Sequence, residues 1–463
     1  MSVMGYVSNL GGERFAFSSL KEVLARANEP KSGDTLAGIA AASEIERVAA
    51  KQVLSEITLE ELRHNPVVPI EEDEISAAID RALDVAAFER IKRWTVADLR
   101  EFLLSDSQDS HDIVTVRGGL TGEMVAAVTK LMSNIDLVQA AKRCPVVARA
   151  NTTLGLPGVL GSRLQPNHPA DSIDGIVDSM LEGISYGVGD AVIGINPVYD
   201  SPESVARILE ATHKFIQELG VPTQNCVLSH VTTQIKAIER GAPAGLIFQS
   251  IAGTQKGNEA FGISLSMLQE AQELGQQKCH NAGKMVMYFE NGQGAELSSG
   301  THNGADQVTL EARCYALARL FSPFLVNDVC GFIGPEYLAD GRQMIRAGLE
   351  DHFMGKLTGV PMGIDACYTN HMQADQNDLE NLAMLLTAAD VNYFMGVPMG
   401  DDVMLSYQTT SYHDIASLRQ IFKRKPAPEF ESWLEHVGLM ENGMLTSRAG
   451  HPGYVAGLRK AAV

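Results

Sequence analysis

Long apolar runs are missing: no window of about 18 apolar residues passes without polar interruption. The first residues, MSVMGYVSNLGGERFAFSSL, lack a basic start followed by an apolar core. A soluble, cytoplasmic protein without a membrane partner is therefore expected. Positive charge is scarce, with 37 Lys and Arg against 57 Asp and Glu and a formal charge of -20. That balance opposes a nucleic acid or an anionic membrane surface as the main partner, because both require a basic face. Cysteine is sparse too: the six, at 144, 226, 279, 314, 330 and 367, include no CxxC pair. Neither a disulfide framework nor a zinc knuckle is expected, and most should be small core residues. HxH and HExxH are absent, which weakens any metal reading. A dinucleotide loop is excluded where it first comes to mind, since Gly292-x-Gly294 meets Leu297 at the third glycine position.

What is present is 463 residues with 45% hydrophobic content, enough for a large core and more than one domain. Residues 1–113 read as a mainly helical packing or assembly domain. Lys21 to Asn28 is a helical stretch stopped near Pro30, and Thr58-Leu-Glu-Glu61 and Thr95-Val-Ala-Asp98 are helix starts of the capping-box kind. From 114 to 463 the texture changes to short Val- and Ile-rich runs separated by helical patterns. The runs are Pro145–Arg149, Ala191–Asn196, Cys226–His230, Gly245–Gln249, Met285–Glu290, Pro323–Asn327, Gly359–Asp365 and Asn392–Gly396. Between them, Ile173, Ile176, Val177, Met180, Leu181 and Ile184 form one apolar stripe, and Ser201-Pro202 begins another that stops at Gly220. Eight strands separated by helices predict parallel pairing closed into a (β/α)8 barrel, with an open doubly wound sheet as the alternative.

In such a barrel the loops at the carboxyl ends of the strands build the active site. Those positions hold Arg149 and Asn151, Asn196, His230 and Thr232, Gln249, Glu290, Asn327 and Asp328, Asp365, and then Asp401 and Asp402. A loop in Gly161–Asn167 adds Arg163 and Gln165, two positions apart. Glu290 and Asp365 could form a metal pair, an acid/base pair or a counterion for an ammonium group. A small cation that also carries a hydroxyl for Arg163 accounts for both signs of charge. Met399 and Met404 read as core methionines, with packing against a flat cofactor as the other use. Glu350-Asp-His352-Phe-Met-Gly355 nearly matches a histidine motif of some cobalamin enzymes, but His352 sits on a helical pattern and reads as structural.

Longer strings carry a more specific signal: Ala150–Pro157, Arg163–Pro166, Gly187–Pro197, His230–Gln234, Gly331–Tyr337 and Leu349–Lys356. Together they closely resemble the large subunit of ethanolamine ammonia-lyase, over about Lys21 to Gly450. The resemblance implies an adenosylcobalamin-dependent barrel enzyme that converts 2-aminoethanol to acetaldehyde and ammonia by radical chemistry. It implies substrate contacts at Arg163, Leu164, Gln165, Asn196, Glu290 and Asp365, catalytic roles for Arg163, Glu290 and Asp365, and cobalamin contacts at Pro197, Gln249, Ser298 and Met404. It further implies a separate small subunit, trimers of large-subunit dimers, a bacterial microcompartment as the setting, and no need for His352, because the family keeps its cobalamin base-on. Asn291, Ala295-Glu296, Asp328 and Cys330 depart from the family's usual forms. A metal-dependent barrel lyase or aldolase, with Glu290 and Asp365 on a divalent ion, is the rival enzyme reading. A catalytically silent assembly subunit is the rival from another class.

Overall fold

Helix signals in the sequence are realised side chain by side chain in the computed structural model, which describes residues 6–331 and 333–462. Phe332, within the Gly331–Tyr337 string, lies outside the described residues. The Thr58 side chain accepts from the Glu61 N–H, and Thr95 and Asp98 form a reciprocal capping box. Ser201 caps Pro202–Leu219, which ends at Gly220 in the left-handed conformation (φ 61°). Before the helices stands an antiparallel hairpin, β1 (Tyr6–Leu10) and β2 (Glu13–Phe17). It occupies a stretch for which helical texture was expected. Its cue was Gly11-Gly12, both at positive φ, the backbone that a tight hairpin turn demands. Helices then continue from Leu20–Ala27 to Asn134–Lys142.

The predicted barrel is present, with one strand relocated. Pro145–Arg149 does not enter it: β3 (Ala148–Arg149) pairs antiparallel with β4 (Thr153–Leu154) in a small ribbon. The Asn151 side chain bonds the carbonyls of Thr223 and His280, in segments that lead into later strands. Arg149 and Asn151 therefore lie towards the amino end of the barrel, away from the mouth expected for them. The first barrel strand is β5 (Gly161–Leu164), read above as a loop because it has only one large apolar residue. All four of its residues are nevertheless buried. Ser162 donates to Asp190, and the Arg419 guanidinium bonds Asp190 at 2.9 Å and the Leu160 carbonyl at 2.8 Å, so polar pairing replaces apolar packing there.

The other strands follow in the expected places: β6 (Val192–Ile195), β7 (Asn225–Val227), β8 (Ile247–Ser250), β9 (Met287–Asn291), β10 (Leu325–Cys330), β11 (Met362–Ala366) and, after the short β12 (Tyr368–Thr369), β13 (Tyr393–Gly396). Hydrogen-bonded order runs β7-β6-β5-β13-β11-β10-β9-β8. At the remaining seam the Gly245 and Leu246 N–H groups both donate to the Asn225 carbonyl at 3.1 Å. A three-stranded sheet joins β12 to two strands that follow the last barrel strand, β14 (Asp401–Asp402) and β15 (Tyr407–Gln408), and β16 (Met440–Glu441) and β17 (Met444–Leu445) form a final hairpin. All six cysteines are buried and unpaired.

Buried ion pairs fasten the N-terminal helices to the barrel helices. Arg313 reaches Glu123 at 2.6 Å and Asp73 at 3.4 Å, Lys130 reaches Asp306 at 2.9 Å, and Lys31 reaches Glu350 at 2.7 Å. Removing one partner from such a pair costs about 3–5 kcal/mol, because the other charge stays buried and alone. Arg313→Met should lower unfolding stability by about that much, read by urea denaturation. A loss below about 1 kcal/mol would mean that Glu123 and Asp73 find other partners.

Candidate active site

Strand alternation decides which side chains share the lumen. Register pairs Glu290 with Asn327, Val329 with Asp365, Gly363 with Tyr393, and Met395 with Arg163. Arg163, Tyr288, Glu290, Asn327, Asp365 and Tyr393 therefore face one interior, and Gln165, two residues beyond Arg163, joins them. Leu164 turns the other way. Its side chain lies beside Gly183 in the helix layer, leaving its backbone near the mouth. Asp328 and Asn291, paired in register, likewise point outward, and Glu296 is buried against Thr254 and Gly253. The departures from the family's usual forms at these positions thus lie behind the strands.

Arg163, 1% exposed, is the centre of the set. Its guanidinium donates to the Tyr288 hydroxyl, to Glu290 Oε1 at 3.2 Å and to Gln165 Oε1. Asn327 Nδ2 adds a bond to the same Glu290 oxygen at 3.0 Å. Gln165 Nε2 donates to Asp402 at 2.6 Å, and Asn167 Nδ2 to the same oxygen at 3.0 Å. The Asn196 backbone N–H donates to Asn167 Oδ1 at 2.8 Å. Thr409 donates to Asp365 Oδ1 and the Tyr407 hydroxyl supports the same carboxyl, whose Oδ2 is left with no close hydrogen bond. Asn327 Oδ1 and Arg163 Nε are also buried without partners. The Tyr393 hydroxyl, buried in the same interior, has no partner either, so the cradle leaves two acceptors, one donor and one hydroxyl unmatched.

Charge follows from these surroundings. Burial opposes ionisation of Arg163, but Tyr288, Glu290, Tyr407 and Asp365 around it outweigh that, and its pKa is raised. Burial raises Glu290 against the opposing pull of Arg163 and Asn327. Burial also pushes Asp365 up to about 7, despite Thr409 and Arg163. One fixed cation therefore faces two carboxyls, the second of which is ready to ionise beside a positive group.

The remaining sites predicted from sequence are spread around this cradle. Pro197 and Asn196 are partly buried at the end of β6, Met404 is partly buried after β14, and Ser298 is exposed at the end of the short helix Ala295–Ser298 that follows β9. Gln249 is buried, its carboxamide held by the Val231 N–H at 2.9 Å and the Ser250 carbonyl at 3.0 Å. His230 caps a helix, accepting from Thr232. His352 is fully buried with both ring nitrogens unpartnered, and burial lowers its pKa well below the usual value, in keeping with a structural residue. Met399 corrects the expectation of a core methionine, because it is 89% exposed. Tyr288, Asn167, Tyr407 and Thr409 were missed. Tyr288 had a usable signal, since it precedes Glu290 by two on a strand. Tyr407 and Thr409 had none, because they reach the mouth through the small sheet. Among the described residues, no group of three or more His, Cys, Asp or Glu is placed to hold a metal ion, and no helix is long and apolar enough to cross a membrane.

A (β/α)8 barrel with this polar set at the carboxyl ends of its strands has the architecture of a barrel enzyme. Residues 15–448 match the family described as ethanolamine ammonia lyase large subunit (EutB), and the chain belongs to that family of lyases. It is 56% identical over 445 residues to the ethanolamine ammonia-lyase large subunit of Escherichia coli (strain K12), covering 96% of this chain and 98% of that one. The same identity and coverage relate it to the large subunit of Salmonella typhimurium (strain LT2). Among solved structures, Plasmodium falciparum HPPK-DHPS is similar at 12% identity and a TM-score of 0.40, over 76% of this chain and 65% of that one, too slight a likeness to add to the family match.

The raised Asp365 pKa has a consequence for stability. Between about pH 4 and 7 the folded state keeps a proton that the unfolded chain has released, so the Asp365 contribution to stability falls as pH rises through that window. Asp365→Asn cannot ionise and should remove the slope. It should exceed the native chain by up to about 4 kcal/mol at pH 8 and by almost nothing at pH 4, in denaturation curves across that range. Parallel profiles for the two proteins would place the Asp365 pKa near its ordinary value.

Proposed function

We propose that the chain is the catalytic subunit of an adenosylcobalamin-dependent ethanolamine ammonia-lyase, converting 2-aminoethanol to acetaldehyde and ammonia. The observation that carries this reading is the buried, unpartnered Asp365 Oδ2 facing the same lumen as the Arg163–Glu290 pair. Its unmatched neighbours have the same complementarity: Asn327 Oδ1 accepts and Arg163 Nε donates. A small ligand with several N–H donors, one positive charge and one hydroxyl would satisfy all three. In this reading Glu290 and Asp365 grip the ammonium group, Arg163 holds the hydroxyl oxygen, and Gln165 and Asn196 fix orientation.

Residues at the rim fit a large, flat, partly apolar cofactor. Val198, Tyr199, Met399 and Val403 are exposed by 39%, 63%, 89% and 62% on loops after β6 and β13, a concentration of apolar surface expected where something covers it. Pro197 and Met404 sit in those loops and Ser298 at the end of the short helix after β9, where they would hold the cofactor. Gln249 would act through the end of β8, which its carboxamide fixes. When bound, adenosylcobalamin would supply the initiating homolysis of its cobalt–carbon bond. A rim of this kind covers one side of the cofactor, and a small partner subunit would complete the site. The family resemblance supports that partner, an assembly of large-subunit dimers, and a cytoplasmic setting in a microcompartment.

During the reaction the amino group leaves one carbon for its neighbour, while Arg163 stays fixed on the oxygen. A fixed donor aimed at an atom whose charge changes acts chiefly on the barrier. Arg163→Ala should lower turnover by about 10²- to 10³-fold, with cobalamin binding retained. Arg163→Lys should recover part of the rate, since it keeps the charge and loses the planar fork. The assay is acetaldehyde release from the purified chain with adenosylcobalamin and 2-aminoethanol, with and without the small subunit. Near-normal turnover in Arg163→Ala with loss of cobalamin would make Arg163 a cofactor residue. No acetaldehyde from the native complex would remove the whole reading.

A further inference from the structure

Asp402, 2% exposed, is a heavily engaged acid near the mouth. Its Oδ2 accepts from Gln165 Nε2 at 2.6 Å and Asn167 Nδ2 at 3.0 Å, and its Oδ1 from the backbone N–H groups of Met404 at 3.0 Å and Leu405 at 2.8 Å. The Ser406 N–H closes the turn on the Asp402 carbonyl at 2.9 Å. Both carboxylate oxygens are therefore used, one facing the substrate-side amides and the other the rim loop.

A carboxamide has two ends of nearly equal shape and opposite hydrogen-bonding character. Gln165 lies between Arg163, which can only donate, and Asp402, which as a carboxylate only accepts. Asp402 draws the NH2 group and leaves Oε1 to Arg163, the arrangement seen. With a neutral amide at 402 that instruction disappears. The Gln165 group can then rotate and set its N–H donors against the guanidinium. Asn167 carries the same instruction further, because its Nδ2 on Asp402 leaves Oδ1 for the Asn196 N–H.

We propose that Asp402 is a positioning residue, which fixes the amide orientations of Gln165 and Asn167 and through them the set of Arg163, Gln165 and Asn196. The inference rests on the reading of that set as the 2-aminoethanol site. Asp402 acts chiefly through Gln165, whose amide touches Arg163, so these two side chains behave largely as one unit; the Asn167 branch ends on the Asn196 backbone and is the smaller of the two.

The test is a double-mutant cycle on the complex with the small subunit, reading calorimetric binding of 2-aminoethanol beside kcat and KM. Asp402→Asn should weaken binding by roughly ten- to a hundred-fold in the native background, as for loss of hydrogen bonds to a charged group. In the Gln165→Ala background the same change should cost less than about twofold. Equal losses in both backgrounds, or no loss in either, would overturn the positioning role. Unchanged binding in Gln165→Ala alone would overturn the substrate-site reading and this inference with it. Gln165→Glu keeps the claim falsifiable if Asp402→Asn does not fold. It sets a carboxylate against Asp402 and should weaken binding although it adds negative charge near a cationic ligand, whereas tighter binding would count against Asp402.

Discussion

The burial of the Arg163 guanidinium is the constraint from which the mouth follows. A charge with 1% exposure survives inside a barrel only if its surroundings replace water. Tyr288, Glu290 and Gln165 do so directly, and two of these are held in turn: Glu290 by Asn327, and Gln165 by Asp402, which two backbone N–H groups fix. The polar network is therefore continuous from the lumen to the rim. Its unmatched atoms lie at Asp365, Asn327, Arg163 and Tyr393, where a ligand of complementary chemistry would complete it.

Outside the lumen the same rule shapes the framework. The amino end of the barrel is fastened by Arg419 to Asp190, and the N-terminal helices by Arg313, Lys130 and Lys31 to acidic partners, all largely buried. A chain with a formal charge of -20 thus spends several of its scarce cations inside. These pairs hold the helices in register with the strands whose ends carry the site.

Much of this was legible in the sequence, and the failures have physical causes. Seven of the eight apolar runs became barrel strands, because a buried parallel strand needs an apolar run bounded by turns. The run at Pro145–Arg149 misled because β5 satisfies its burial with Ser162 and Arg163 bonded to distant partners that composition cannot reveal. Glu290, Asn327 and Asp365 could be found because strand ends converge at the mouth. Leu164, a contact implied by the resemblance, turns its side chain outward by strand alternation, so only its backbone faces the mouth. Met399 was expected inside and is exposed, because it sits at positive φ in the short turn Pro398–Gly400 beyond the last barrel strand, where the core does not reach. Tyr407 and Thr409 reach Asp365 through the pairing of β12, β14 and β15, a contact between distant segments that no local pattern announces.

On the proposed function, the cradle keeps one negative charge in reserve for an ammonium group, held as the protonated Asp365. Calorimetric titration of 2-aminoethanol into the complex with the small subunit, in buffers of different ionisation enthalpy, counts the protons released on binding. At pH 6, about one proton should leave per site as Asp365 ionises against the incoming cation, falling towards none at pH 8. Asp365→Asn should abolish the release. Binding at pH 6 without release of a proton, or with the same release in Asp365→Asn, would contradict it.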